Sequence, residues 1–251
     1  MSSQFDWLHG FVLHRRDYRE TSAIVDFFCL EFGRVAAVAR GVRSAKSTKK
    51  AYLQPFQPLQ FSLTGRAELK NLGKLEASDN ALVLKGQAMF CGMYLNEIIN
   101  RVMPKEMPAV ELFKAYLVAL TQLAEQHDQE IVLREFEFAL LQELGQSPDW
   151  CYEGISGRPI SPSVNYVFNP DIGFTEQLIA GTGAANSQQQ IFAGEALLEV
   201  AAGNWSAQSK LAAKVVNRRL LQPLLGTKPL KSRDLFVRRS PNLQQSEVSK
   251  N

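Results

Sequence analysis

Residues 23–50 read AIVDFFCLEFGRVAAVARGVRSAKSTKK, and the fold follows from how this stretch divides. Ala23–Leu30 is dense in aromatic and β-branched residues, which predicts a strand. Glu31-Phe32-Gly33 makes a short turn, and Arg34–Ala39 continues as a strand of small apolar residues through Val38. The rest is a loop carrying Arg40, Arg43, Lys46, Lys49 and Lys50, with Gly41, Ser44, Ser47 and Thr48 between the charges to keep it flexible. From Phe32 to Ala67 there is no Asp or Glu. An uncompensated cationic loop between strands suits a polyanion gripped by its backbone, although a solvated lysine-rich loop has the same composition.

Strand signals continue on both sides of this stretch. Gly10–His14 is apolar and β-prone, and Phe56–Thr64 places Leu59, Phe61 and Leu63 on one face against Gln60 and Ser62 on the other. Gly65-Arg66 turns the chain into a last strand, Leu69–Leu75. Five short strands within the first 80 residues predict a small closed barrel of the oligonucleotide-binding type. Such barrels hold single strands by cationic grip and aromatic stacking. Phe11, Tyr18, Phe27 and Phe28 fit the barrel core better, so Tyr52, beside the basic loop, is the stacking candidate.

The period then changes from two to that of a helix. Leu84, Ala88, Cys91, Leu95, Ile98 and Val102 form one stripe, ended by Pro104. A second stripe is Val110, Phe113, Leu117, Leu120 and Ala124, and a third is Leu133, Phe136, Leu140 and Leu144, closed by Gly145. These predict an antiparallel bundle with its carboxylates on the solvent face. Residues 147–183 are rich in Gly, Pro and Ser and read as an irregular insert with one hairpin at Asn165–Phe168 and Gly173-Phe174. Gln188–Ala202 returns to helix. A last helix starts at Ser206 and puts Lys210, Lys214 and Arg218 on one face, followed by Lys228, Lys231, Arg233, Arg238 and Arg239. The fold class is therefore α+β. Its parts are a barrel over 1–80, a helical domain over 81–146 and 184–240, the insert over 147–183 and a disordered tail over 241–251.

A net charge of +3 over 251 residues hides an asymmetry. Residues 1–67 carry +5 and 200–251 carry +8, whereas 106–199 carry −11. Two basic ends around an acidic middle point to an anionic partner, nucleic acid before membrane. No stretch is long and apolar enough to span a membrane, and MSSQFDWLHG at the N-terminus has no signal-peptide pattern, so a cytoplasmic protein is expected. Cys29, Cys91 and Cys151 are far apart, and His9, His14 and His127 form no metal-ligand spacing with them. Neither a phosphate loop nor GxSxG occurs, and the pairs Asp26/Glu31 and Glu135/Glu137 read as surface charge. The expectation is a binding protein and not an enzyme.

Several of these patches, in order, resemble the RecO family of bacterial recombination mediators. They are Gly10–His14 with Glu20-Thr21-Ser22, Phe32–Val35, Ala39–Arg43, Leu53–Phe56, Tyr94–Ile98, Leu133–Glu137 with Leu140, Leu141 and Gly145, and Lys228–Phe236. The resemblance implies an N-terminal oligonucleotide-binding barrel, a helical domain and an insert that is often a zinc ribbon. It implies binding of single- and double-stranded DNA, annealing of complementary strands, and work with RecR to load RecA in the RecF pathway. It also implies capture of the acidic, Phe-ending tail of the single-strand-binding protein. Members often carry four zinc-binding cysteines in the insert; here Cys151 stands alone, so no zinc or other cofactor is expected. A family pair of arginines in the third helix is represented by Arg134, with Glu135 in the second place.

These readings yield candidate sites. DNA contacts are assigned to Arg34, Arg40, Arg43, Lys46, Lys49, Lys50, Tyr52, Lys210, Lys214, Arg218, Lys228, Lys231 and Arg233. The tail pocket is assigned to Phe113, Leu117 and Phe136 with Arg134 as the carboxylate's cation. The chain is expected to be a nucleoid-associated monomer. The alternative is a protein-only adaptor whose basic ends address acidic protein tails.

Overall fold

The computed structural model describes residues 4–44, 47–177 and 190–237. The strands of the first half are β1 (Gln4–Tyr18), β2 (Ser22–Cys29), β3 (Gly33–Ala39), β4 (Leu59–Thr64) and β5 (Leu69–Ala77), with a one-turn helix α1 (Lys49–Tyr52) between β3 and β4. Helices α2 (Gln87–Val102), α3 (Val110–Ala124) and α4 (Gln129–Glu143) follow. Then come β6 (Asn165–Asn169), β7 (Gly173–Glu176), β8 (Ile191–Ala193), α5 (Gly194–Ala201), α6 (Ala207–Leu225) and α7 (Lys231–Val237). The described residues fall into two compact units, one up to 129 together with those from 227, the other 130–226.

The barrel of the first unit closes in the order β1-β2-β3-β5-β4. Its ladders are antiparallel except β3 with β5. β1 is longer than its apolar run suggests because it serves two neighbours, β4 up to Gly10 and β2 from Gly10 onward. Gly10 faces both, and a Cβ there would stand 2.5 Å from the Phe28 carbonyl oxygen, so the crossing point admits glycine alone.

Alternation along β2 sorts the aromatics. Phe27 points inward and stacks on Phe61 with ring centroids 4.4 Å apart, among Leu8, Val12, Val25, Val35, Leu59 and Leu63. Phe11 and Phe28, out of phase with that set, point outward and meet Phe113 and Tyr116 of α3 at centroid distances of 5.4 to 6.0 Å. The sequence places both in the barrel core; they lie instead under the helices. Where β1 shifts register between Val12 and His14, the amide of Asn96 on α2 donates to the carbonyls of Val12 (3.2 Å) and Leu13 (3.4 Å). The buried Tyr116 hydroxyl in turn donates to Asn96 Oδ1 at 2.6 Å.

The link from α2 to α3 is fastened to the barrel as well. Arg34 Nε donates to the Met103 carbonyl (2.8 Å), and the Glu106 amide donates to the Arg34 carbonyl (2.8 Å). The Glu106 carboxylate pairs at 2.8 Å with Lys70, whose side chain is buried. The sequence predicts one bundle of three helices. α2 and α3 belong instead with the barrel, α2 through Asn96 and α3 through Phe113 and Tyr116 on the outer aromatics, while α4 from Glu130 onward belongs to the second unit.

In the second unit an aromatic chain runs from Trp205 through Phe138 and Trp150 to Phe174, which also meets Phe168 and Phe192. The small sheet has the order β7-β6-β8. Residues 191–193, read as helix from sequence, pair with β6; Phe192 is buried between the exposed Ile191 and the half-buried Ala193, a strand's alternation. Residues 188–189 and the tail 241–251 lie outside the described residues. Ser206 caps α6 as expected, accepting from the Ser209 amide in a reciprocal box with the Ser209 hydroxyl.

Gly33 adopts φ +64°, and a Cβ there would stand 1.9 Å from the Met107 carbonyl oxygen. Gly41 has nearly the same φ, +67°, with nothing within 4 Å. Gly41→Ala is expected to cost only the left-handed strain, about 1 kcal/mol. Gly33→Ala adds a backbone collision and is expected to cost about 3 kcal/mol, so thermal unfolding should show at least twice the loss of melting temperature. Equal losses would mean that the Met107 contact does not constrain the fold.

Candidate nucleic-acid interface

The described basic residues after β3 are mostly tied to the barrel. Arg43 donates to the carbonyls of Arg19 (2.9 Å) and Glu20 (3.1 Å) and pairs with Asp17 at 3.2 Å, tying the segment to the β1–β2 turn. Arg40 donates to Asn71 Oδ1 at 3.0 Å. Lys49 and Lys50 sit on α1, and Lys49 Nζ donates to the Gly73 carbonyl of β5 at 2.8 Å. Tyr52 ends α1 with 38% of its surface exposed, open enough to stack. Lys46 lies outside the described residues.

Between β1 and this segment lies a cleft of about 310 Å³ lined by Arg15, Asp17, Val42, Arg43 and Lys50. Three cations against one carboxylate give the cleft a positive balance, part of it met by the Arg43–Asp17 pair. Arg15, which also donates to the Leu53 carbonyl at 3.3 Å, was missed by reading the loop alone. The signal was present in the run His14-Arg15-Arg16-Asp17-Tyr18-Arg19 at the far end of β1. Arg34, assigned to DNA contact from the sequence, is half-buried and spends its guanidinium on Met103 and, at 3.4 Å, on Asn100 of α2, and burial pushes its pKa down.

The remaining cations fall on two other elements. On α6 of the second unit, Lys214 and Arg218 are exposed, Lys210 is half-buried, and Lys214 pairs with Glu130 at 3.3 Å. In the first unit, the exposed Lys228, Lys231 and Arg233 ride on a segment clamped to α2. Arg101 donates to the carbonyls of Lys228 (2.6 Å) and Pro229 (3.2 Å). Glu97 accepts from the Lys231 amide (2.9 Å), the Ser232 amide (2.8 Å) and the Ser232 hydroxyl (2.7 Å). Burial works against the Glu97 carboxylate, but the bonds from Ser232 and Lys231 and the charge of Arg101 outweigh it and hold its pKa below the usual range.

The four tail-pocket residues divide between the units. Phe113 is buried under Phe11 and Phe28, while Leu117 on the same helix is 41% exposed. In the second unit Phe136 is buried, and so is Arg134, which donates to Glu137 Oε1 at 2.9 Å. Asn217 donates to the other Glu137 oxygen at 3.1 Å. The expected cation of the tail pocket is thus committed to an internal ion pair.

The residues of the insert do not fit a zinc ion. Cys151 is its single cysteine and is exposed, and the segment 147–189 contains no histidine. Its knuckle is closed by the nearly buried Glu153, which accepts from the Ser156 hydroxyl at 2.6 Å, and by Gly154 packed against the Ile172 carbonyl. Among the described residues no three His, Cys, Asp or Glu side chains gather. Burial pushes the Cys29 thiol up to about 12, which makes it a core side chain rather than a nucleophile. No helix of the described residues is long and apolar enough to cross a membrane.

A closed barrel of this strand order, with a helical region after it, is a protein of the oligonucleotide-binding barrel class. Comparison with known proteins gives the particular family. The model described as recombination protein O N terminal matches residues 2–81, and that described as recombination protein O C terminal matches 84–234. The chain belongs to the recombination protein O family. It is 46% identical to the DNA repair protein RecO of Alteromonas mediterranea, over 92% of this chain and 97% of that one. The protein of the same name from Pseudoalteromonas atlantica is 44% identical over 91% and 93%. That from Haemophilus influenzae is 41% identical over 93% and 97%.

The clamp on α7 has a pH consequence. Because the Glu97 pKa is lowered in the folded state, its contribution is full above the ordinary carboxylate range and is lost as pH falls through the folded value. Protection factors of the Lys231–Leu235 amides, taken against the intrinsic exchange rate at each pH, are expected to fall on acidification through that range, and to be lower in Glu97→Ala already at neutral pH. Unchanged protection in that variant would remove Glu97 from the clamp.

Proposed function

We propose that this chain is a DNA repair protein that holds DNA by its phosphates and brings complementary strands together without changing a covalent bond. The observation that carries the reading is the cleft of Arg15, Arg43 and Lys50 on the barrel of a chain of this family. Annealing requires that the Watson–Crick edges stay free, so grip must come from phosphate contacts that carry no base readout. The cleft with α1 offers one such surface for single-stranded DNA. The exposed cations of α6, and those of the segment before and on α7, offer others for a second strand or a duplex.

The partners in this reading are single- and double-stranded DNA, the single-strand-binding protein through its acidic tail, and RecR, with RecA loaded as the outcome. For the tail, Leu117 supplies exposed apolar surface, and a cation must be sought beyond Arg134, which is already paired. The protein acts as a monomer in the cytoplasm at the nucleoid, with no bound metal.

Salt titration of oligonucleotide binding tests the grip. With about five phosphate contacts, log K should fall against log salt with a slope of about −3.5 for a single strand. Arg15→Glu together with Lys50→Glu should weaken binding to all sequences alike and flatten the slope by about 1.4. A slope near zero would leave the protein-adaptor reading, and losses confined to some sequences would mean base readout. Annealing of a fluorophore strand to a quencher strand should be accelerated both on naked DNA and on DNA coated with single-strand-binding protein. Acceleration on naked DNA alone would remove the tail contact.

A further inference from the structure

The ladder pattern around Ser62 in β4 is unusual. On one side, β1 pairs Phe5 with Leu63 and Leu8 with Phe61, so Asp6 and Trp7 together oppose Ser62. On the other side, β5 pairs Leu72 with Leu63 and Leu75 with Phe61, so Gly73 and Lys74 together oppose the same residue. Two bulges on neighbouring strands thus converge on one serine. Ser62 Oγ accepts from the Lys74 amide at 2.9 Å, and a Cβ at Gly73 would stand 2.5 Å from that oxygen. Bulges re-aim side chains, and this pair aims two at one place. Lys74 Nζ sits 5.6 Å from the centroid of the Trp7 ring.

Trp7 holds φ +57°, a backbone region that a bulky residue enters only under constraint, and it leaves 41% of its surface exposed. Its own fold does not need the indole there, since the barrel core is filled without it. Three lysines lie near it in the chain's contacts. Lys50 lines the cleft, Lys49 beside it on α1 binds the Gly73 carbonyl, and Lys74 follows Gly73 directly. The strand to which α1 is bonded thus carries, at the next residue, the cation that lies over an exposed aromatic ring.

We propose that Trp7 and Lys74 form a base-stacking subsite for single-stranded DNA, the indole taking a nucleobase and the ammonium a neighbouring phosphate. The subsite rests on the DNA-binding reading above and adds to it a preference for unpaired strands. Stacking needs an open π-face, which a base inside a duplex does not present, and it is indifferent to which base is offered. It extends the cationic cleft from a grip on any DNA to a selector for strands awaiting a complement.

Three tryptophans make the test direct. Trp150 is buried and Trp205 is stacked on Phe138, so quenching of tryptophan emission on adding an oligo-dT reports Trp7. Binding itself is followed separately by anisotropy of a labelled oligonucleotide. The parent should be quenched as it binds, and Trp7→Phe should bind without quenching. Trp7→Ala should bind single strands about tenfold more weakly, duplex unchanged, with the salt slope kept, whereas Lys74→Ala should flatten the slope by about 0.7. In the unmutated protein, an abasic strand should bind without quenching. Equal quenching by the abasic strand, or persistent quenching in Trp7→Phe, overturns the subsite while leaving the cleft intact. No anisotropy change in the parent at any salt overturns the DNA reading and the subsite with it.

Discussion

The amide of Asn96 joins the barrel to its helices. A closed five-stranded barrel fills its inside with one set of side chains, and the other set faces out. Here part of that outer set is aromatic, and Phe11 and Phe28 need a cover. Asn96 fixes where the cover sits, because the carbonyls that accept from its amide lie at the register shift of β1. Tyr116 completes the bond set from α3. Removing the amide would leave a buried phenol and backbone carbonyls to find other partners, at about 1–3 kcal/mol for each group left unsatisfied. The Lys70–Glu106 pair and the docking of α7 on α2 add to the same helical layer.

How much of this was legible in the sequence depended on whether the signal was local. The strands were readable because period two survives in Leu59, Phe61 and Leu63, and the helices because their stripes run for several turns. What alternation could not show is that both faces of β2 are buried; Phe27 and Phe28 look alike in a list, and only the helices behind Phe28 tell them apart. The same limit governs the charges. Arg34 and Arg43 read as free cations in a segment without carboxylates, yet backbone carbonyls from distant residues and Asp17 of β1 engage them. A sequence shows its acidic groups and hides its carbonyls.

Trp7 shows the limit most plainly. Its neighbours in sequence say nothing about the subsite, since the two bulges that shape it belong to pairings with β4, and their meeting point depends on register across three strands. The basic residues of α1 were visible as charge, but their connection to Lys74 runs through a backbone carbonyl. Arg15 stood between these cases, visible in a basic run at the end of β1 once the cleft showed which residues face it.

The clamp between Glu97 and the Lys231–Ser232 turn has a consequence for the order in which the molecule is made. The segment that docks on α2 is translated only after the whole of the second unit, although it completes the first. During synthesis the barrel and its two covering helices emerge with the α7 seat empty, holding the Glu97 and Arg101 side chains in water. The first unit is thus finished last, and a ribosome that stalls within the second unit leaves behind a closed barrel whose helical layer still has one edge unsealed.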